Sequence, residues 1–165
     1  MSRRSAGLLV YRRSRDGGLC VLLVHMGGPF WQRRDEGAWS IPKGEYGDGE
    51  DPLAVARREF REELGQPPPA GDVVELGEFR QAGGKRIVVF AVEGDVDASD
   101  VRSNEFQMEW PRGSGQLRSF PEVDRAEWMR PELAKRKVVR GQVAAIDRLL
   151  AVTASGEDGP QAARR

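Results

Sequence analysis

A group of three glutamates in the chain has a spacing that suits a metal ion. Glu59, Glu62 and Glu63 lie at positions i, i+3 and i+4, so a helix places their carboxylates on one face, within reach of a common point. Carboxylate oxygens are hard ligands, and several of them around one point suit Mg²⁺ or Mn²⁺. The spacing therefore predicts a divalent-metal site carried by a helix.

The alternative interpretation is a solvated acidic helix face, which is what most charge runs are. It is disfavoured because like charges three or four residues apart cost about 0.2–0.5 kcal/mol per pair. The last turn of a helix is also the unfavourable end of its dipole for anions. Arg58 can offset Glu62 at i+4, but one guanidinium does not neutralise three carboxylates. A bound divalent cation would.

The segment around these glutamates carries a longer motif, which reads GEYGDGEDPLAVARREFREELGQ. It resembles the Nudix box, G-x5-E-x7-R-E-U-x-E-E-x-G-U, where U is a bulky apolar residue. The matching positions are Gly44, Glu50, Arg58, Glu59, Phe60, Glu62, Glu63 and Gly65. A chance match to seven fixed Gly, Glu and Arg positions is on the order of 10⁻⁸ per window. The chain is identified as a member of the Nudix family, with one departure at Gln66, where the pattern favours an apolar residue.

The resemblance implies an enzyme that hydrolyses a phosphoanhydride bond in a nucleoside diphosphate-linked substrate, with Mg²⁺ as cofactor and Mn²⁺ as a substitute. The metal ligands it implies are the three glutamates and the backbone carbonyl of Gly44. Arg58 would orient the carboxylates through a charge-assisted fork, whereas Glu50 would be structural. The alternative is a non-catalytic nucleotide-sensing or partner-binding Nudix module, although every reactive position of the box is present here.

The residues before the box bear on the substrate. The string WSIPKG resembles the W-x-x-P-K-G segment in hydrolases of dinucleoside polyphosphates and diphosphoinositol polyphosphates, so we expect a dinucleoside polyphosphate or a related nucleoside-diphosphate derivative. Lys43 could point its ammonium at a phosphate, or be an ordinary exposed loop lysine. Phe30 and Trp31 could present their rings to a nucleobase, or pack at the rim of the sheet.

A further carboxylate is expected outside the box, because family members often recruit one from a late loop to hold a metal or accept a proton from water. Glu122, in SFPEVDRAEW, is the predicted catalytic residue, and Glu105, in SNEFQMEW, is the runner-up. Each has the alternative interpretation of an ordinary surface acid. His25, the only histidine in the chain, is predicted to be a satisfied structural residue.

The predicted elements place these residues in an α/β/α sandwich with a mixed, curved sheet. Residues 6–11 and 19–25 form a hairpin around the turn SRDGG, and a short strand covers residues 39–41. A helix spans residues 52–64, with Asp51 as N-cap and Gly65 followed by PPP as the stop. Residues 73–79 and 85–93 form two strands joined at a glycine pair, and residues 126–129 form another. The segment 133–150 has helical periodicity interrupted at Gly141.

Composition narrows the class of protein. A chain of 165 residues fits one domain, predicted over residues 1–152 and followed by a disordered tail over 153–165. Its 26 basic and 26 acidic residues cancel, so no global field argues for nucleic-acid binding. Cys20, the single cysteine, lies in an apolar run and is predicted to be buried. Because no signal peptide or membrane span is apparent, we expect a cytoplasmic enzyme with no membrane partner, and a homodimer stays open.

Overall fold

The computed structural model describes residues 3–158, with side chains described to residue 154. Its nine strands are β1 (Arg4–Arg13), β2 (Leu19–Met26), β3 (Trp39–Ser40), β4 (Lys43–Glu45), β5 (Val73–Arg80), β6 (Arg86–Glu93), β7 (Glu105–Glu109), β8 (Leu117–Pro121) and β9 (Val123–Met129). Its helices are α1 (Pro52–Leu64), α2 (Pro131–Lys137) and α3 (Val143–Asp158), with short 3₁₀ turns at Ala82–Gly84 and Arg140–Gln142.

Seven strands form one mixed sheet in the order β3-β2-β1-β6-β5, with β4 paired to β1 and β9 paired to β2. Strands β1 and β6 run parallel at the centre, and β2 and β5 run antiparallel to them. The central strands are continuous apolar runs because helices cover both of their faces. The predicted α/β/α sandwich is confirmed.

Alternate residues of the central strands point to opposite faces of the sheet and pack into two separate hydrophobic cores. On one face, Leu8 and Phe90 pack with Phe60 of α1. On the other, Leu9 and Val89 join a core that includes Ile146 of α3. The sheet therefore separates α1 from α3.

Helix α1 has the predicted bounds. The Asp51 carboxylate accepts a hydrogen bond from the backbone N–H of Ala54, and Pro52 occupies the first turn. Gly65 ends the helix with φ 71°, a left-handed conformation that glycine adopts without steric cost. Phe60 and Ala56 are fully buried, so the carboxylates project from the remaining surface of the helix.

The C-terminal helical region is interrupted where the sequence indicates. Gly141 lies in the 3₁₀ turn between α2 and α3, and a Cβ there would lie 2.6 Å from the carbonyl oxygen of Arg80. Helix α3 continues to Asp158, past residue 152. Residues 159–165 lie outside the described part of the chain, so the division into domain and tail stays a prediction. No helix within residues 3–158 combines the length and apolar character that a membrane crossing requires.

Two features were not predicted. Strand β4 follows β3 and pairs with the start of β1, and the segment around residue 105 forms the β7–β8 hairpin, which is separate from the main sheet. The predicted burial of Cys20 is also incomplete: it is half-buried, since it lies near the start of β2, opposite Arg12.

Candidate active site

Strand β4 brings Gly44 against the glutamates of α1. Gly44 pairs with Ala6 of β1, and this fixes the position of its backbone beside the helix. A Cβ added at Gly44 would lie 1.8 Å from Oε1 of Glu59 and 2.1 Å from its Cδ. The Glu59 carboxylate thus occupies the space that any larger residue at position 44 would need.

Two of the carboxylates on α1, those of Glu59 and Glu63, resist ionisation. Burial, a hydrogen bond with Glu62 and the charge of Glu62 raise the pKa of Glu59 to about 7. Burial also raises the pKa of Glu63 to about 8, aided by the charges of Glu59 and Glu122 and opposed by the ammonium of Lys43. The backbone of Lys43 supplies a hydrogen bond that favours the ionised form of Glu63. The site concentrates negative charge in a partly buried position that a cation would stabilise.

Glu122 belongs to this cluster, although it lies far from the box in sequence. Its backbone N–H donates to the carbonyl of Asn104 over 2.9 Å, and the N–H of Asn104 donates to the carbonyl of Glu62 over 2.9 Å. Burial first, and then the charge of Glu62, raises the pKa of Glu122. Glu105 begins the exposed strand β7 and does not contribute to these shifts. The fold therefore brings Glu122, and not the runner-up, to the carboxylates.

Arg58 and Glu50 form a separate contact. Nη1 of Arg58 lies 3.6 Å from Oε2 of Glu50, and Oε1 of Glu50 accepts a hydrogen bond from the N–H of Gly47 over 2.9 Å. Glu50 thus ties the loop before α1 to the helix, which agrees with a structural role. The predicted fork from Arg58 onto the α1 carboxylates is not seen, because the guanidinium lies beside Glu50.

A cavity of about 710 Å³ opens beside β4. Lys43 and Trp31 line it, together with Gly44, whereas Phe30 does not. Phe30 is 52% exposed, and its ring meets that of Trp31 edge-on at 6.1 Å. Two of the three residues predicted to bind substrate therefore meet at one cavity, and the third lies outside it.

Four of the charged residues that line this cavity were not predicted from the sequence. They are Arg3, Arg80, Lys85 and Arg140. They come from segments that are distant in sequence, and nothing local distinguishes them from other surface cations. Only the pairing order of the strands, which the sequence does not specify, could have indicated them.

The residues fit a divalent cation by their chemistry. Glu59, Glu62, Glu63 and Glu122 supply hard carboxylate oxygens, and the backbone of Gly44 adds a carbonyl. Among the side chains that the structure describes, up to residue 154, no three acidic, histidine or cysteine groups already converge on one point. Glutamate has three rotatable side-chain bonds, so rotation of these side chains would be needed to bring their oxygens to a common ion.

Two further polar residues have structural roles. His25 is fully buried; its Nδ1 lies 2.8 Å from Asp124 Oδ1, and its Nε2 lies 2.7 Å from the Arg34 carbonyl. It is a satisfied structural histidine, as predicted. Gln66, which departs from the box, donates from Nε2 to the carbonyls of Asp97 and Asp100 at 2.8 and 2.9 Å. The Gln66 amide therefore holds the loop that contains Asp97 and Asp100 by hydrogen bonds, at a position where the family pattern has an apolar side chain.

Comparison with known proteins adds to this geometry. A family model described as the NUDIX domain matches residues 1–149. No curated protein matches the chain by sequence.

Solved structures share the fold at low identity. An Ap4A hydrolase from C. elegans, in a binary complex, is 20% identical over 93% of this chain and 98% of its own, with a TM-score of 0.60. The NUDIX domain of Shewanella oneidensis NrtR, complexed with ADP ribose, is 15% identical over 93% of this chain and 89% of its own, with a TM-score of 0.60. The Nudix hydrolase RenU from M. smegmatis is 25% identical over 92% of this chain and 85% of its own, with a TM-score of 0.52.

Proposed function

Because the chain belongs to the Nudix family, we propose that it is a divalent-metal-dependent pyrophosphohydrolase that cuts a phosphoanhydride bond in a nucleoside diphosphate-linked substrate. The observation that carries this proposal is that Glu59 lies against Gly44, within a group of carboxylates that act on one another electrostatically. These are Glu59, Glu62, Glu63 and Glu122. Two of them, Glu59 and Glu63, have pKa values raised to about 7 and about 8. Perturbed acids grouped beside a cavity are typical of catalytic sites.

Glu59, Glu62 and Glu63 would hold Mg²⁺, with the carbonyl of Gly44 as a further ligand, and Mn²⁺ would substitute. When bound, such an ion neutralises charge on the phosphates and lowers the pKa of the attacking water. Like-charge repulsion among the glutamates supports this assignment, because a divalent cation converts that repulsion into attraction.

Glu122 is proposed to accept the proton of the attacking water at a carboxylate oxygen. Its raised pKa makes it a stronger base than an ordinary glutamate. As the water oxygen bonds to one phosphorus, the bridging P–O bond breaks, and the leaving phosphate takes the bond's electron pair. The ammonium of Lys43 is proposed to bind a phosphate of the substrate. Two observations support this role: Lys43 lines the cavity, and its charge acts on Glu63. Arg58 would keep the start of α1 in place through Glu50.

The proposed substrate is a dinucleoside polyphosphate or a related nucleoside-diphosphate derivative. The WSIPKG segment supports it, as does the cavity, which is lined by one aromatic ring, Trp31, and by Gly44, the neighbour of Glu59. Such a ring can stack on a nucleobase, whereas Phe30 would contribute only from outside the cavity. ADP-ribose, the ligand of one similar structure, is the main competing substrate. We also propose the cytoplasm as the site of action.

A substrate panel tests the proposal. Diadenosine tetraphosphate, ADP-ribose and an oxidised nucleoside triphosphate would each be incubated with the protein, with Mg²⁺ or with a chelator, and nucleoside monophosphate release would be followed by chromatography. We expect Mg²⁺-dependent release, fastest from diadenosine tetraphosphate. A strong preference for ADP-ribose or for the oxidised triphosphate would overturn the substrate but leave the hydrolase. Binding without turnover of any compound would favour a nucleotide-sensing module instead.

A further inference from the structure

We infer that the cavity beside β4 binds a second group of phosphates on the substrate, held by the cations Arg3, Arg80, Lys85 and Arg140. This inference deepens the proposed function, on which it rests for the reaction itself. It makes these residues determinants of specificity for a phosphate-dense molecule.

Charge is segregated at this cavity. The chain has equal numbers of basic and acidic residues, yet five cationic side chains line the cavity, the four above and Lys43, against one carboxylate, Glu45. Among the residues that the structure describes, none of the four makes an ion pair, whereas other arginines do, for example Arg4 with Asp48 and Arg86 with Glu78. Like charges grouped without partners produce a local positive field that attracts anions.

The topology of the sheet brings these cations together. Strands β1 and β6 run parallel and begin at the same end, where Arg4 pairs with Arg86. Strand β5 ends there, because Arg80 also pairs with Arg86. Arg3, Arg80 and Lys85 therefore come from three adjacent strand ends at one edge of the sheet. The turn that carries Arg140 packs against this edge, as the close approach of Gly141 to Arg80 shows.

A buried glutamine fixes the spacing of the segments that carry the cations. Gln142 is fully buried and follows Arg140 in the 3₁₀ turn. Its Oε1 accepts from the backbone N–H of Ile41 at 2.8 Å, just before Lys43. Its Nε2 donates to Oγ of Ser40 and to Oε1 of Gln81, both at 3.1 Å. A satisfied buried network of this kind holds its members rigidly, so the cavity wall is preorganised for a ligand.

The lining favours clustered phosphates over a second nucleobase. Guanidinium groups form forked hydrogen bonds with phosphate oxygens, and an ammonium adds a compact positive charge. A volume of about 710 Å³ is within the range of small-molecule sites. Both the phosphate chain of a dinucleoside polyphosphate and a ring bearing several phosphates offer the chemistry required.

The binding test uses inorganic tripolyphosphate and the full chain, in buffer without divalent ions, so that turnover is not needed. The test variant is Lys85→Gln/Arg140→Gln, and the matched control is Arg15→Gln/Arg148→Gln, which removes two exposed charges outside the cavity. By titration calorimetry, we expect tripolyphosphate to bind the test variant at least about tenfold more weakly than the wild type. The control should bind within about twofold. Thermal melting of each variant checks folding.

Equal weakening in both variants would indicate a nonspecific charge effect and overturn the inference. So would unchanged binding by the test variant, or an absence of tripolyphosphate binding to the wild type. These outcomes are independent of the substrate panel. If the protein hydrolyses nucleotides but the test and control variants bind tripolyphosphate equally well, the proposed function stands and the inference about the cavity is wrong.

Competition distinguishes the two sources of phosphate. Diadenosine tetraphosphate and inositol hexakisphosphate would each be titrated against bound tripolyphosphate in the wild type and the test variant. The phosphate source is the compound that displaces tripolyphosphate from the wild type and binds the test variant at least about tenfold more weakly. If neither displaces it, the cavity does not take a phosphate-dense organic ligand, and the inference is wrong.

Discussion

Replacing Gly44 with alanine should disable the site while leaving the fold intact. The backbone of Gly44 does not have a positive φ, so alanine can adopt its conformation. The added Cβ would nevertheless lie 1.8 Å from Oε1 of Glu59. Ordinary van der Waals separation is about 3.5 Å, so the carboxylate must move by more than about 1.5 Å.

The structure sets the size of the expected effects on stability and on turnover. Glu59 is a flexible side chain that can rotate away, and a Gly→Ala change without backbone strain restricts the unfolded chain, which favours folding by about 0.4–1 kcal/mol. We therefore expect the free energy of unfolding to change by less than about 1 kcal/mol, or a few degrees in Tm. Misplacement of a reacting group by about 1 Å can cost about 10²-fold in rate, so turnover should fall by at least that factor.

The assay compares Mg²⁺-dependent turnover and thermal melting of Gly44→Ala with those of Gly47→Ala. Gly47 is a matched control because the nearest atom to its added Cβ would be Oε1 of Glu50, at 3.8 Å, an ordinary contact. We expect Gly47→Ala to retain turnover within about twofold. Near-normal turnover in Gly44→Ala would refute the reasoning, since the Glu59 carboxylate could then move without consequence. An unfolded Gly44→Ala would also refute it, because the space at Gly44 would then be needed for folding rather than for the site.

Three further predictions follow from the site and its supports. The raised pKa values of Glu59 and Glu63 mean that above pH 4.5 the folded chain holds more protons than the unfolded chain. Without metal, the free energy of unfolding should therefore fall as pH rises towards about 8, by about 1–3 kcal/mol after allowance for solvent exposure. Thermal melting in the presence of a chelator at several pH values checks the sign, and a Tm that rises with pH would contradict it. Glu122→Gln should lower turnover by about 10²–10⁴-fold while Glu105→Gln leaves it unchanged, and unchanged turnover in the first would reject Glu122 as the base. Gln142→Leu should cost about 1–3 kcal/mol because a buried N–H loses its acceptor, and denaturant unfolding that shows less than about 0.5 kcal/mol would exclude this role.

The elements that hold the site were predictable where their signals are local. Asp51, Pro52 and Gly65 define helix α1, and the spacing of its glutamates places them on one face whatever the rest of the chain does. The hairpin β1–β2 likewise follows from its turn residues and apolar runs.

Contacts between distant segments were not predictable. Glu122 reaches the cluster because the backbone of Asn104 bonds both to it and to Glu62, and no local pattern marks that contact. Strand β4 is three residues long, too short for alternation to identify it. The family resemblance assigned Arg58 to the carboxylates, but the loop before α1 supplies Glu50 as its partner.

The most direct test of the central claim is Mg²⁺-dependent turnover of Glu63→Gln on the best substrate of the panel. The substitution keeps the size of the side chain and removes a carboxylate whose ionisation is disfavoured by burial and by the charges of Glu59 and Glu122, and favoured by Lys43. We predict that hydrolysis is abolished while Tm is equal to or higher than that of the wild type, and Glu62→Gln should behave in the same way. Near-normal Mg²⁺-dependent turnover in a folded Glu63→Gln variant would contradict the assignment of the α1 carboxylates as the metal site.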